Sequence, residues 1–436
     1  MMLLTAKWVL PITREPIDEG AVLISKDVIK AVGSKEELKK VHPKEPLIDF
    51  GRAIIMPGLV NTHTHLEYSA FRGILKNLSF FPWIVELVKK SRKLSLSDWK
   101  VSALFGTLEC IKSGVTCVAN IISFGPGFEV LLQSELRGLA FHEVIEIDDA
   151  KADQKILESE KIIQDWKEKC GNGLLNVGVS PHATYTVAPR VFQSLSEWAQ
   201  HNGLLLSTHL AESREEYRFL KMAGLKLFWQ PRGPCLPCLP EGRPTGRVSP
   251  VRYLEQLGVL DNNVIAVHCV HVDKEDIGIL KEKDVGITCC PRSNARLKVG
   301  TAPLSDFFES DLRVGFGTDS LASNDDLNIL SEFKTALLQH KIPPQQLVKM
   351  ATLGGAQVLR MENQIGSLEE GKQADIIVVD LPIDHDDIYL SLVDAEKAKV
   401  IFTMVAGRVL YERDKCQTLD EKSISAQIQK VQSKLR

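Results

Sequence analysis

Two histidines stand one residue apart in PGLVNTHTHLEYS, residues 57–69, directly behind a short apolar run. Successive side chains of a strand alternate faces, so His63 and His65 at a strand end point the same way and can converge on one point. Imidazole is the commonest transition-metal ligand, but two ligands do not close a site, and the pair alone could equally be surface histidines. Further candidates follow: His182 in SPHATYTVAP, His209 in STHLAES, His268 and His271 in AVHCVHV, and Asp319 in GTDSLASN. Three histidines and one aspartate make a ligand set suited to zinc, with iron or manganese as substitutes. Such an ion lowers the pKa of water from about 15.7 toward 7, which makes hydroxide available at neutral pH for attack on an electron-poor carbon.

The elements that must position these groups emerge when the apolar runs are read in order. IIMPGLVNTH, GVTCVANI, RGLAFHEVI, LLNVGVSPH, LLLSTHLAE, NVIAVHCVH, VGITCCP and RVGFGTDS are eight strand candidates, near residues 54, 114, 137, 174, 204, 263, 285 and 313. Helical apolar spacing runs between them over Asp98–Lys112, Lys151–Lys169, Pro189–His201, Val251–Leu257, Lys274–Lys283 and Leu327–Gln339. This alternation predicts an α/β fold, a closed (β/α)8 TIM-like barrel. His63, His65, His182, His209, His268, His271 and Asp319 then all fall at the carboxyl ends of strands, where barrels of this kind carry their active sites.

The chain ends differ in texture. AVLISKD and VIKAVGS before residue 57, and ADIIVVD and IFTMVAGRVLYERD near the other end, read as strands of one small β-sandwich domain built from both ends. The expected division is 1–57 and 359–414 for that domain, 58–358 for the barrel and 415–436 for a terminal surface helix. Trp229–Pro250 is a Pro- and Gly-rich insertion after the fifth strand, of the kind that forms lids or binding loops.

Of 436 residues 44% are hydrophobic and 25% charged, and the net charge of −3 shows no basic excess, which argues against a nucleic-acid partner and for a small-molecule substrate. No run approaches 18 apolar residues and MMLLTAKWVLPI lacks the cationic lead and cleavage site of a signal peptide, so no membrane partner and a cytoplasmic location are expected. The nine cysteines form no disulfide framework. Cys110, Cys117, Cys269, Cys289 and Cys290 lie in apolar runs as small core residues. Cys235 and Cys238 form a lone PCLPC without a second ligand pair. With His65-Leu66-Glu67 it imitates the two halves of a nucleobase zinc deaminase signature, but about 170 residues separate halves that a compact deaminase domain needs on adjacent elements. It reads as a loop accident or a local redox-sensitive pair.

Taken together, PGLVNTHTH, SPHATYTVAP, STHLAES, AVHCVHV, CPRSN and GTDSLASN resemble the amidohydrolase superfamily over almost the whole chain, in the one-metal branch that deaminates purines, pyrimidines and triazines. The resemblance implies metal ligation by His63, His65, His209 and Asp319. It implies acid/base chemistry by Glu212 and His268, substrate contact by His182, and a homodimer as the assembly. In that chemistry His268 and Asp319 take protons from the attacking water, and Glu212 hands one to the ring nitrogen beside the attacked carbon. Glu212 could instead be a helix N-terminal charge favoured by the macrodipole, His268 a supporting residue, His271 a structural one, and Glu67 a substrate contact or a surface group.

Within the branch the chain resembles deaminases of adenosine-like nucleosides substituted at the 5′ carbon. SFFPWIVELVKKSRKLS, FHEVI and CPRSNARL are more similar to aminodeoxyfutalosine deaminases, of the futalosine route to menaquinone, than to methylthioadenosine/S-adenosylhomocysteine deaminases. Where the second group carries an acidic ribose-binding residue beyond a tryptophan matching Trp83, this chain reads Lys-Lys-Ser-Arg, Lys89–Arg92. A basic stretch suits a substrate carboxylate, with Arg92 and Arg292 the candidate partners. Trp83 either stacks on the substrate or fills the barrel rim. Two other classes compete. A two-metal cyclic-amide hydrolase would need a bridging Lys or Glu carboxylate and a further ligand from strand six, and HLAE after strand five favours the one-metal type. A non-catalytic barrel would be expected to have lost ligands that this chain retains.

Overall fold

The computed structural model describes residues 1–171, 173–221, 248–380, 387–393 and 398–436. Eight strands, Leu59–Thr64, Val115–Ile122, Arg137–Val144, Leu175–Pro181, Leu205–Leu210, Val264–His268, Gly286–Cys289 and Val314–Phe316, pair in parallel in sequence order. They correspond to the eight expected runs. The first and last strands meet at a parallel Thr64–Asp319 bridge. Thr62 Oγ1 donates to Phe316 O at 2.9 Å and Thr64 Oγ1 to Asp319 O at 2.9 Å, so threonines serve the seam's backbone carbonyls where ladder pairing is sparse. Val60, Cys117, Ala119, Ile121, Leu139, Phe141, Ile265 and Val267 fill the barrel interior, and the alternate residues face the surrounding helices.

The helices begin where their caps dictate. Ser95 and Asp98 form a reciprocal capping box at the start of Leu96–Lys112, and Asp273 and Asp276 form another at Lys274–Glu282. Phe80–Ser91 is a further helix, burying Phe80, Trp83 and Leu87, that apolar spacing alone did not disclose. Its apolar residues run together, and Pro82 is tolerated because the first turn needs no N–H from it. The terminal helix Glu421–Leu435 buries Ile424, Ile428, Val431 and Leu435 along one stripe, and Lys434 Nζ meets Asp98 Oδ1 at 2.7 Å.

A second sheet joins both chain ends. Ile54–Pro57 lies parallel to Met2–Val9 and antiparallel to Ile376–Asp380, with Ile17–Ser25, Val28–Ser34, Lys399–Val405, Arg408–Glu412 and Lys415–Cys416 continuing outward. The run IIMPGLVNTH, read above as one strand, is therefore two strands in different sheets. Gly58 divides them because the chain passes Thr116 so closely that a Cβ there would lie 1.9 Å from Thr116 Oγ1. The sheets are tied by a buried fork: Arg137 Nε and Nη2 donate to Asp375 Oδ2 and Oδ1 at 2.7 and 3.0 Å, and Ala406 N donates to Asp375 Oδ1 at 2.8 Å. Asp375→Ala would strand the Arg137 guanidinium in the interior. We expect it to destabilise the protein by about 3–5 kcal/mol in denaturant titration, with metal content unchanged, and a loss below about 1 kcal/mol would mean that the fork is hydrated. The cysteines expected in the core, Cys110, Cys117, Cys269, Cys289 and Cys290, are buried and free. Burial pushes the Cys117 and Cys289 thiols up to about 12, so they behave as apolar groups. The Pro- and Gly-rich segment up to residue 247, with Cys235 and Cys238, lies outside the described residues.

Candidate active site

The strand ends bring His63, His65, His209, His268 and Asp319 together in a buried cluster. His63 packs edge-on against His65 and His209, with ring centroids 4.8 and 4.9 Å away, and His268 lies 5.7 Å from it. Two ligand sets share His63: His63, His65 and Asp319, and His63, His209 and His268, each with donor atoms within 4.8 Å of one another. Backbone strain marks the same place, for Ala211, His268, Cys269 and Asp319 all have positive φ, between 46° and 74°. Non-glycine residues hold that conformation only where surrounding contacts impose it, and such positions concentrate at functional sites.

The polar contacts aim the ring nitrogens inward. His209 Nδ1 donates to His182 O at 3.0 Å, which leaves Nε2 as a bare lone pair facing His65 Nε2 at 3.3 Å. His268 Nδ1 donates to Asn294 Oδ1 at 2.9 Å, so its Nε2 is the basic nitrogen. Asp319 Oδ2 accepts from Ser293 and Ser323 hydroxyls at 2.7 and 2.6 Å, while Oδ1 faces His63 Nε2 and His65 Nε2, each 3.8 Å away. Both nitrogens of His63, Nδ1 of His65 and Nε2 of His268 are buried without hydrogen-bond partners among the described residues. Orphaned donors and acceptors of this kind are costly unless something else meets them. Imidazole lone pairs and a carboxylate oxygen converging on one spot fit a divalent cation.

Charge states agree with that fit. Loss of hydration, reinforced by the neighbouring imidazoles, holds His63 and His209 well below the usual imidazole range, in the neutral form that ligates. Burial works to raise Asp319, but His65, His268 and the serine hydroxyls outweigh it and keep the carboxyl ionised. Glu212 takes the opposite course. Burial, then the charges of Asp319 and Glu216, push it well above the usual carboxyl range, which favours the protonated form. Ala211 turns the chain after strand five and sets Glu212 Oε1 3.6 Å from His268 Nε2.

The remaining sequence candidates are placed as follows. His182 lies beside His209, with ring centroids 4.7 Å apart, and its Nδ1 meets Thr186 Oγ1 at 2.7 Å. Burial and the adjacent His65 push it down to about 3. Trp83 is buried and donates Nε1–H to Ala322 O at 3.0 Å. Arg92 is the exposed C-cap of Phe80–Ser91. Arg292 is held by Asp326 in a fork of 2.6 and 3.0 Å, so a substrate carboxylate would compete with Asp326 for it. His271 Nε2 bonds Val299 O at 2.7 Å, a supporting contact. Glu67 is neither at the surface nor free to meet substrate, because it accepts the backbone N–H groups of Ser123, Phe124 and Gly127 at 2.9–3.0 Å and anchors the loop after strand two.

Sequence reasoning gave no role to Ser293, Asn294, Ser323 or Glu216. CPRSN and GTDSLASN contained the first three, but nothing in their spacing says that strands seven and eight bring Ser293 and Ser323 onto one carboxylate. Glu216 accepts the Glu212 N–H at 2.9 Å and the Thr184 hydroxyl at 2.8 Å, fixing the turn that carries Glu212.

Comparison with known proteins gives a consistent picture. Residues 54–226 and 241–410 match the amidohydrolase family. The chain is 30% identical to a 5-methylthioadenosine/S-adenosylhomocysteine deaminase of Moorella thermoacetica, over 97% of this chain and 96% of that one. Among solved structures, a zinc-bound adenosine deaminase from Xanthomonas campestris superposes with a TM-score of 0.87 at 24% identity, covering 100% of this chain and 98% of that one. Helicobacter pylori aminofutalosine deaminase does so with a TM-score of 0.81 at 22% identity, covering 94% and 100%. At these identities the two likenesses establish a shared fold.

Proposed function

The chain belongs to the amidohydrolase family, and from that premise we propose that it is a zinc-dependent aminohydrolase that deaminates an adenosine-like nucleoside substituted at the 5′ carbon. The observation that carries this reading is the buried meeting of His63, His65, His209 and Asp319 with Glu212 facing the basic nitrogen of His268. Iron or manganese would fit the same donors. When bound by His63, His65, His209 and Asp319, the ion supplies its Lewis acidity, which makes water acidic enough to act as a nucleophile at neutral pH.

The protein's own groups then divide the proton work. Glu212 donates to the ring nitrogen next to the attacked carbon, which neutralises the negative charge that attack would otherwise build on that nitrogen. His268, with Nδ1 committed to Asn294, has Nε2 free to take a proton from the attacking water, and Asp319 Oδ1 can share that task. His182 directs its outward nitrogen at the substrate ring, since Nδ1 is engaged by Thr186. The proton taken by His268 passes to the amino group, which leaves as ammonia, and the remaining water proton returns to Glu212 as the ring keeps the oxygen as a carbonyl.

Aminodeoxyfutalosine is the substrate we favour, supported by the similarity of SFFPWIVELVKKSRKLS, FHEVI and CPRSNARL to its deaminases and by the basic Lys89–Arg92 stretch at the end of the helix that carries Trp83. With Arg292 engaged by Asp326, Arg92 is the freer cation for its carboxylate. The 30% identity to a methylthioadenosine/S-adenosylhomocysteine deaminase supports the second reading. Ammonia release by the zinc-loaded protein offered aminodeoxyfutalosine, methylthioadenosine, S-adenosylhomocysteine, adenosine and guanine in parallel separates them. Preference for the first, with Arg92→Ala raising its KM about tenfold or more and leaving methylthioadenosine unaffected, is the expected result. Preference for methylthioadenosine assigns nucleoside salvage, and no ammonia from any of the five rejects the purine assignment.

A further inference from the structure

We propose that Glu143 is the residue that recognises the sugar of the substrate, by accepting hydrogen bonds from a vicinal diol. The inference rests on the nucleoside reading above and adds a contact that replaces the acidic side chain missing from Lys89–Arg92. Strand three runs Arg137–Val144, and Leu139 and Phe141 point into the barrel. By alternation Glu143 is the next interior position, at the carboxyl end where the site opens. The neighbouring strands confirm its direction. Phe141 pairs with Gly178 on strand four, where a Cβ would lie 2.4 Å from the Phe141 ring, so that ring leans inward over the glycine. The next pair along is Glu143 with Ser180.

The chemistry around Glu143 is that of an unfinished polar site. Among the described residues its carboxylate accepts a hydrogen bond from Ser123 Oγ alone, through Oε2, and Oε1 is left open. Ser180 Oγ, on the strand opposite, is buried without a partner among the described residues. A carboxylate with one oxygen free suits a ligand with two adjacent hydroxyls, one of which donates to Oε1. Tyr68 and Tyr185 lie close enough to feel the Glu143 charge, and a sugar presents C–H faces to such rings while its hydroxyls reach the acceptors. The position also suits a nucleoside. Metal ligands and proton-transfer groups come from strands one, five, six and eight, which places the reacting ring on that side and directs the sugar toward strands two to four. Val144 O accepts the His182 N–H at 3.0 Å, so the sugar wall and the ring-contacting histidine share one backbone frame.

The test measures binding without turnover. The zinc-loaded full-length protein is titrated calorimetrically with 5′-methylthioinosine and with its 2′-deoxy counterpart, for the wild type, Glu143→Gln and Glu143→Asp. Zinc content and melting temperature are recorded for each. The expected result is that the wild type binds the diol about 10- to 100-fold more tightly than the deoxy compound, the range of a charge-assisted hydrogen bond. Glu143→Gln should remove that preference by weakening only the diol, and Glu143→Asp should reduce it. Equal weakening of both ligands, an unchanged preference, or binding of neither overturns the assignment. Ammonia release from methylthioadenosine and aminodeoxyfutalosine, measured on the same wild-type preparation, tells failure of the sugar contact from failure of the deaminase reading. Should Glu143→Gln not fold, Glu143→Asp keeps the charge and decides the question alone.

Discussion

Glu212→Gln is expected to lower kcat by about 10²- to 10⁴-fold while leaving metal content and melting temperature unchanged. Glutamine preserves the volume and the polarity of the side chain, and the Glu212 backbone N–H stays fixed by Glu216 at 2.9 Å. What it removes is a proton. Glu212 is 5% exposed, and burial together with Asp319 and Glu216 pushes its carboxyl well above the usual range, which favours the form that holds the proton the reaction needs. An amide cannot release one to the ring nitrogen. The helix N-terminal role that the sequence left open makes the opposite forecast, a modest loss of stability with kcat intact. Ammonia release, metal analysis and thermal melting on the two proteins decide between them. A further mark of the acid role is the alkaline limb of the wild-type kcat profile, which reports loss of this proton and should be absent from the variant's residual activity.

The barrel was legible because its signal is repeated: eight short apolar runs separated by helical spacing point to one architecture even when an individual boundary is wrong. The boundary at Gly58 was wrong for a local reason. IIMP and LVNT are equally apolar and differ only in the sheet each joins, which depends on the distant strand Ile376–Asp380. The histidines were legible as chemistry because their positions at strand ends follow from the strands themselves. Their supports were not. Asn294 selects the basic nitrogen of His268, and Ser293 and Ser323 orient Asp319, but those contacts cross between elements 26 or more residues apart, or turn within a loop whose path the sequence does not state. Glu67 shows the converse error. A glutamate two residues past His65 looked available, yet three backbone N–H groups from another loop consume both of its oxygens.

His63→Ala is expected to abolish both stoichiometric zinc binding and ammonia release, and the physical ground is the partnerless state of its ring. His63 is fully buried, and neither nitrogen has a hydrogen-bond partner among the described residues. A histidine kept for packing would be satisfied by a carbonyl or hydroxyl, as His271 is by Val299 O at 2.7 Å. His63 also belongs to both candidate ligand sets, so its loss leaves neither complete, whereas loss of His268 leaves His63, His65 and Asp319 together. The asymmetry makes the forecast specific. Saturating zinc, at about 1,000 times its dissociation constant, should stabilise the apo wild type by about 4 kcal/mol through binding linkage. It should leave His63→Ala unmoved and still stabilise His268→Ala. Metal analysis after dialysis should read about one ion per chain for the wild type and for His268→Ala, in keeping with a single shared centre, and close to none for His63→Ala. Retention of zinc by His63→Ala would remove this residue from the ligand set and shift the centre toward His209 and Asp319.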